Sequence, residues 1–145
     1  NDDTQAFFIA PLKSQILKST LSDKKYFFQV SNSEKETSFI VAISDPSLIQ
    51  QARRQLQYPN DLNLPRILSA QIGPTHGGYN QDLLDPHRAA WSWHVTQVYK
   101  FSSVGLDTCN GSPDIVEFFL PLWLQNNKPI CFYDFKIIKE LNIPQ

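Results

Sequence analysis

The chain has 145 residues, 41% of them hydrophobic, and its 14 acidic and 13 basic side chains leave a net charge of −1. This length and composition are typical of one globular domain, and we expect a single domain over residues 1–145. The near-neutral charge excludes the strongly basic surface of a nucleic-acid-binding protein. The sequence also contains no apolar run long enough for a membrane span.

The start of the sequence and its two cysteines indicate export from the cell. The chain begins at Asn1 and contains no Met, which is typical of a chain from which a leader has been removed; the alternative is a fragment of a longer chain. An even number of cysteines in a small exported chain is typical of disulfide bonding. We therefore expect a secreted, extracellular protein with a disulfide between Cys109 and Cys131. The alternative is a cytosolic chain in which both thiols are free and buried.

The first part of the chain is predicted to form strands and one helix. The predicted strands, rich in aromatic and β-branched residues, cover residues 7–10, 25–30 and 37–43. The polar segment between the last two predicts a hairpin. Asp45 and Pro46 are signals for the start of a helix, and apolar residues then recur with helical spacing as far as Gln57.

The second part is predicted to contain four more strands. They cover residues 67–72, 91–101, 104–109 and 131–137. In the second of these, alternation places Trp91, Trp93, Val95 and Tyr99 on one face and Ser92, His94, Thr96 and Val98 on the other.

A second helix is predicted from the pair Ser112 and Pro113, which repeats the signal of a cap followed by proline. Pro121 should end or kink this helix. We expect its apolar side chains to point into the core, namely Ile115, Val116, Phe118 and Phe119. The order of elements predicts an α+β fold: a mostly antiparallel sheet with two helices on one face, closed by one disulfide.

One long segment, residues 74–90, has no predicted helix or strand. Irregular segments of this length in compact domains are usually functional or mobile. We therefore expect this loop and the strand that follows to contact a partner. The candidate partner-binding residues are His76, Gly77, Gly78, Tyr79, Asn80, Asp85, His87, Arg88, Trp91 and Trp93.

Several short motifs occur in a definite order along residues 37–141. They are Asp45-Pro46, Ala52-Arg53, Gly78-Tyr79-Asn80, Trp91-Ser92-Trp93-His94, Asp107-Thr108-Cys109-Asn110-Gly111 with Pro113, Val116 and Glu117, and the late Cys131. In this order and spacing the chain resembles a family of small secreted microbial domains often labelled calmodulin-binding proteins. The resemblance implies a secreted, disulfide-bonded domain and no particular reaction. The chain departs from the family pattern by inserting residues 81–90 and by having Phe132-Tyr133 where the family tends to have Pro-Trp.

The sequence contains no motif typical of a catalytic site, so we expect a non-catalytic domain without a cofactor. The leading hypothesis is a secreted domain that binds an extracellular protein through the loop at 74–90, for example an inhibitor of a secreted hydrolase. One alternative is a metal-binding protein or metalloenzyme that holds one divalent metal with His76, His87 and His94. Another is a carbohydrate-binding module that stacks a glycan on Trp91 and Trp93.

Overall fold

The computed structural model describes residues 24–75, 78–104 and 109–143. The strands are β1 Tyr26–Asn32, β2 Ser38–Ile43, β3 Ile67–Pro74, β4 Trp93–Ser102, β5 Ile130–Phe132 and β6 Phe135–Leu141. The helices are α1 Pro46–Gln57, α2 Pro113–Phe118 and α3 Leu120–Asn126. The strands form two antiparallel three-stranded sheets, ordered β2-β1-β6 and β4-β3-β5. The predicted α+β class is confirmed, but the strands are divided between two sheets instead of lying in one.

The two sheets share one hydrophobic core in which aromatic rings from both meet. The Phe39 ring of β2 lies 5.4 Å from the Trp93 ring of β4 and 4.5 Å from the Phe132 ring of β5, centroid to centroid. Trp93 and Phe132 stack nearly parallel, with 17° between their ring planes. Aromatic pairs of this kind add to the stabilisation that burial alone provides.

The hairpin and the first helix form as predicted. β1 and β2 pair from Tyr26 opposite Ile43 onwards, around a turn of polar residues. Asp45 caps α1, where its Oδ1 accepts from the N–H groups of Ser47 at 2.8 Å and Leu48 at 3.3 Å. These signals are local in sequence, which is why they could be recognised before any tertiary contact was known.

A β-bulge in β4 changes which side chains of this strand are buried, so one predicted face is wrong. Thr96 lies between Val95 and Gln97, which pair with consecutive residues of β3, so Thr96 is the extra residue. The extra residue reverses the alternation as far as Tyr99, which is the extra residue of a second irregularity between Val98 and Lys100. Val98, which was predicted to lie on the opposite face from the two tryptophans, is therefore buried as they are. Tyr99, which was predicted to share their face, is 43% exposed.

The second helix also differs from its prediction. The chain leaves helical geometry at Phe119 and starts a separate helix with Pro121 in its first turn, as the proline predicted. The prediction of four inward side chains is wrong, because α2 has only six residues and buries only Val116 of the four against the core. The other three are substantially exposed: Ile115 48%, Phe118 79% and Phe119 46%.

The end of the chain is divided more finely than predicted. The expected single strand over residues 131–137 is interrupted by a turn, so β5 and β6 lie in different sheets. The disulfide between Cys109 and Cys131 is confirmed, and Cys131 lies in β5. The predicted strand at residues 7–10 lies outside the described residues, as do residues 105–108 of the one at 104–109. No helix in the described ranges combines the length and apolarity needed to cross a membrane.

Candidate functional site

The candidate site is the loop over residues 78–92, which begins in a gap between the edge strands β2 and β4. Asn80 is fully buried in this gap. Its Oδ1 accepts from the Ile40 N–H of β2 at 2.8 Å, and its Nδ2 donates to the Trp93 carbonyl of β4 at 2.8 Å. The amide thus accepts from one strand and donates to the other, as a peptide group of an intervening strand would.

Two further residues hold the loop against β2. Asp82 is 3% exposed, and its Oδ1 accepts from the Ser38 N–H at 3.1 Å, the Ser38 hydroxyl at 2.9 Å and the Leu84 N–H at 3.0 Å. The Trp91 indole N–H donates to the Ser38 carbonyl at 3.1 Å, and the Trp91 backbone N–H donates to the Asn80 carbonyl at 2.9 Å. We call Asn80, Asp82 and Trp91 the root of the loop, because buried hydrogen bonds fix each of them to the sheets or to one another.

The part of the loop between these anchors, residues 83–90, is exposed throughout, and we call it the tip. Leu83 and Leu84 are 43% and 39% exposed. The Asp85 N–H donates to the Asp82 carbonyl at 3.0 Å, and the Arg88 N–H donates to the Asp85 carbonyl at 3.1 Å, so the tip folds into successive turns. The tip therefore has a defined backbone while its side chains face solvent.

Arg88 connects the tip to the root and to the neighbouring helix. Its guanidinium lies 4.2 Å from the centroid of the Trp91 ring, a cation–π contact, and it also pairs with Asp114 of α2. A second bond joins the same two elements, since the Ser92 N–H donates to Glu117 Oε1 at 2.8 Å. The loop and α2 are consequently direct neighbours.

The helices beside the loop carry an exposed apolar surface. Its members, which we call the helical patch, are Ile115, Phe118, Phe119 and Leu122. Phe118 and Phe119 pack edge to face, with centroids 4.8 Å apart. Asp114 and Phe118 are one helical turn apart, so the residue that contacts Arg88 shares a side of α2 with the more exposed phenylalanine of the patch. Sequence reasoning missed this patch, although residues 115–124 hold more apolar side chains than one narrow helix face can bury.

The predicted partner-binding residues fall into groups with different environments. Asn80, Trp91 and Trp93 are buried, with exposures of 0%, 2% and 0%. Asp85, His87 and Arg88 lie on the exposed tip, Gly78 and Tyr79 are half-buried, and His76 and Gly77 lie outside the described residues. A glycan platform needs an exposed ring face, and neither Trp91 nor Trp93 offers one, so in this fold both act as core residues.

The three candidate metal-binding histidines are not seen together. His76 lies outside the described residues, His87 is on the exposed tip, and His94 is half-buried, with its ring centroid 5.8 Å from that of Tyr79. Among the described residues, no group of three or more His, Cys, Asp or Glu side chains is arranged to hold a metal ion. The three-histidine site stays a prediction from the sequence.

Tyr79 marks the point at which the loop leaves the sheets. Its ring contacts Phe27 of β1 edge to face at 5.6 Å, in addition to His94 of β4, so it spans the two sheets on the outer side. Burial raises the pKa of the Tyr79 phenol, which keeps the hydroxyl protonated and able to donate a hydrogen bond.

Comparison with known proteins places this chain in a family. It matches the BP-74 N-terminal domain over residues 24–144, which is most of its length, and it belongs to that family. The assignment is consistent with the resemblance to domains labelled calmodulin-binding proteins. No curated protein and no solved structure matches the chain.

Proposed function

We propose that this member of the family is a secreted, non-catalytic domain that binds an extracellular protein through the tip of its loop and the adjoining helical patch. A specific form of the proposal is inhibition of a secreted hydrolase. The observation that supports it is the contrast within the loop, where a root fixed by buried hydrogen bonds presents a tip of exposed side chains.

The fixed root lowers the cost of binding. A flexible loop loses conformational entropy when a partner orders it, on the order of 1–2 kcal/mol for each backbone residue. Here the bonds of Asn80 and Asp82, and the successive turns of the tip, already restrict the backbone in the free protein. Preorganisation of this kind favours affinity, because less ordering remains to be done on contact.

The chemistry of the surface is also that of a protein interface. Leu83, Leu84 and Phe118 are exposed apolar side chains, and the ion pair of Arg88 with Asp114 lies between the tip and the helix. Exposed apolar patches bordered by polar residues are typical of interaction sites. Aromatic side chains such as Phe118 are also enriched in protein–protein interfaces relative to the rest of a protein surface.

The disulfide supports an extracellular location. Bonds such as that between Cys109 and Cys131 persist in oxidising compartments and are rare in the cytosol. The proposed partner is therefore also extracellular.

The test uses a panel of purified secreted hydrolases that includes serine, cysteine and aspartic proteases and a glycoside hydrolase. The full chain is titrated against each, and both binding and residual hydrolysis are measured. We expect at least one member to bind. Replacing Leu83→Asp and Leu84→Asp together should weaken that binding by about tenfold or more, because the interface loses apolar contacts and gains two charges.

A matched control keeps the result specific to the tip. The pair Gln50→Asp and Gln57→Asp adds the same charge at exposed positions of α1, and should leave binding within about twofold. If no hydrolase binds, the inhibitor form of the proposal is wrong. If one binds and the tip variant retains full affinity while remaining folded, the assignment to the tip is wrong.

A further inference from the structure

The edge of β2 that faces away from β1 presents backbone groups with a period of two residues. In an antiparallel strand, the N–H and C=O of one residue point to the same side, and alternate residues point away from the paired strand. Ser38 and Ile40 are of this outward type, since the N–H of each donates to the loop and not to β1. Ala42 is the next outward residue, and it lines a cleft.

The edge of β4 that faces away from β3 has the same arrangement. The carbonyl of Trp93 points outward to Asn80, while the carbonyl of the preceding Ser92 accepts from Thr75 on the other side. The backbone N–H and C=O of His94 should therefore point toward β3, and those of Val95 should point outward again. Val95 lines the same cleft as Ala42.

The cleft continues the gap that Asn80 bridges. From Ile40 to Ala42 along β2, and from Trp93 to Val95 along β4, both strands advance from the bridging amide into a space of about 480 Å³. This volume lies within the range of natural ligand sites. Among the residues that the structure describes, the loop thus fills one end of the gap between the two edge strands and leaves the other end open.

We propose that the open end of this gap binds an extended peptide segment of a partner protein, which adds a strand between β2 and β4. The Asn80 amide shows the required spacing, because one planar amide accepts from β2 and donates to β4 with both bonds at 2.8 Å. A peptide group placed next along the gap makes the same pair of bonds, accepting from the Ala42 N–H and donating to the Val95 carbonyl. Recognition by strand addition depends mainly on the main chain of the ligand.

The walls of the cleft suit a peptide. Tyr79 and His94 form one wall, and Asp45 and Lys25 place opposite charges near the rim. The lining combines these opposite charges with apolar side chains such as Ala42 and Val95, and such a mixture does not favour a strongly charged small molecule. This site is separate from the tip of the loop, so it can be tested separately from the proposed function.

The experiment selects ligands from a phage-displayed library of random linear peptides against the full chain. Amide hydrogen exchange of the unmodified protein is then measured by NMR with and without each selected peptide. Strand addition should slow exchange of the Ala42 amide by about tenfold or more, because that N–H donates to the peptide. The Val95 N–H points to the same side as the Val95 carbonyl, so it also faces the added strand and should be protected to a similar degree. N-methylation of the central peptide residues should weaken binding by about tenfold, because each methyl group removes a main-chain donor.

Substitution of one backbone donor supplies the second measurement. Ala42→Pro removes the N–H that points into the cleft without breaking a bond to β1, and it should weaken peptide binding by about tenfold or more. Ala42→Ser keeps the N–H and should bind the peptide with an affinity within about twofold of the unmodified protein.

The proposal is overturned if no peptide is selected, or if selected peptides leave both amides unprotected and bind the proline variant normally. Peptides that instead lose affinity for the Leu83→Asp, Leu84→Asp variant bind the tip; that result overturns this proposal and favours the proposed function. If the proline variant does not fold, the exchange and N-methylation results decide alone.

Discussion

The root and the tip of the loop are built from similar residue types but have opposite environments. Asn80 and Asp82 in the root are as polar as Asp85 and His87 in the tip, yet the first two are buried and the last two are exposed. The difference lies in hydrogen bonding, since the root side chains satisfy backbone groups of the edge strands. Polarity alone therefore does not indicate which loop residues meet a partner.

This contrast assigns different roles to the two parts. A buried donor or acceptor that loses its partner costs about 1–3 kcal/mol, whereas an exposed one is compensated by water. Substitutions in the root should therefore lower the free energy of unfolding, and substitutions in the tip should leave it nearly unchanged. Any effect of the tip on binding should then be separable from an effect on stability.

The largest effect is expected at Asn80. Asn80→Ala should lower the free energy of unfolding by about 4 kcal/mol, because the Ile40 N–H and the Trp93 carbonyl both lose their buried partner. Asn80→Asp should be no better, since it restores the acceptor but places a carboxylate against the Trp93 carbonyl. The measurement is equilibrium unfolding in urea.

Gln81→Ala is the matched control for this prediction. Gln81 is the exposed neighbour of Asn80, and its side chain makes one bond of 3.3 Å to the Gly78 carbonyl. Its removal should change stability by less than about 0.5 kcal/mol. Equal effects of the two alanine variants would contradict the role assigned to the buried hydrogen bonds of Asn80.

A smaller effect is expected from the indole N–H of Trp91. Trp91→Phe and Trp93→Phe remove similar ring area from the core, but only the first removes a hydrogen bond, that to the Ser38 carbonyl. No acceptor among the described residues reaches Trp93 Nε1. Trp91→Phe should therefore cost about 1–2 kcal/mol more than Trp93→Phe in thermal or chemical unfolding. A larger loss for Trp93→Phe would show that packing, not hydrogen bonding, dominates at both sites.

Much of the fold could be predicted because its signals are local. The hairpin of β1 and β2, the cap of α1 at Asp45 and the break before Pro121 are each encoded within a few residues. The division of β5 and β6 between two sheets, and the bulge at Thr96, depend on partners distant in sequence. Alternation alone could not indicate either feature.

The candidate site was predicted less completely for the same reason. The length of the loop identified it as unusual, and the exposed Asp85, His87 and Arg88 were found in that way. The burial of Asn80 could not be predicted, because the bonds that retain it come from strands 40 residues earlier and 13 residues later. The helical patch was misread, since exposed and buried phenylalanines have the same sequence signal until helix length and packing are known.

The smallest effect is expected at the junction of the tip and the helix. Arg88 and Asp114 are 35% and 54% exposed at their side chains, and ion pairs with such access to water contribute about 0–1 kcal/mol. Asp114→Asn should thus cost less than about 1 kcal/mol, and Arg88→Ala slightly more, because it also removes the contact with the Trp91 ring. A double-mutant cycle with urea unfolding separates the pairing energy from that contact, and the pairing energy should fall further in high salt. A loss above about 2 kcal/mol for Asp114→Asn would mean that the tip is part of the stable core. The contrast between root and tip would then be wrong, because binding of a partner at the tip could no longer be separated from the stability of the fold.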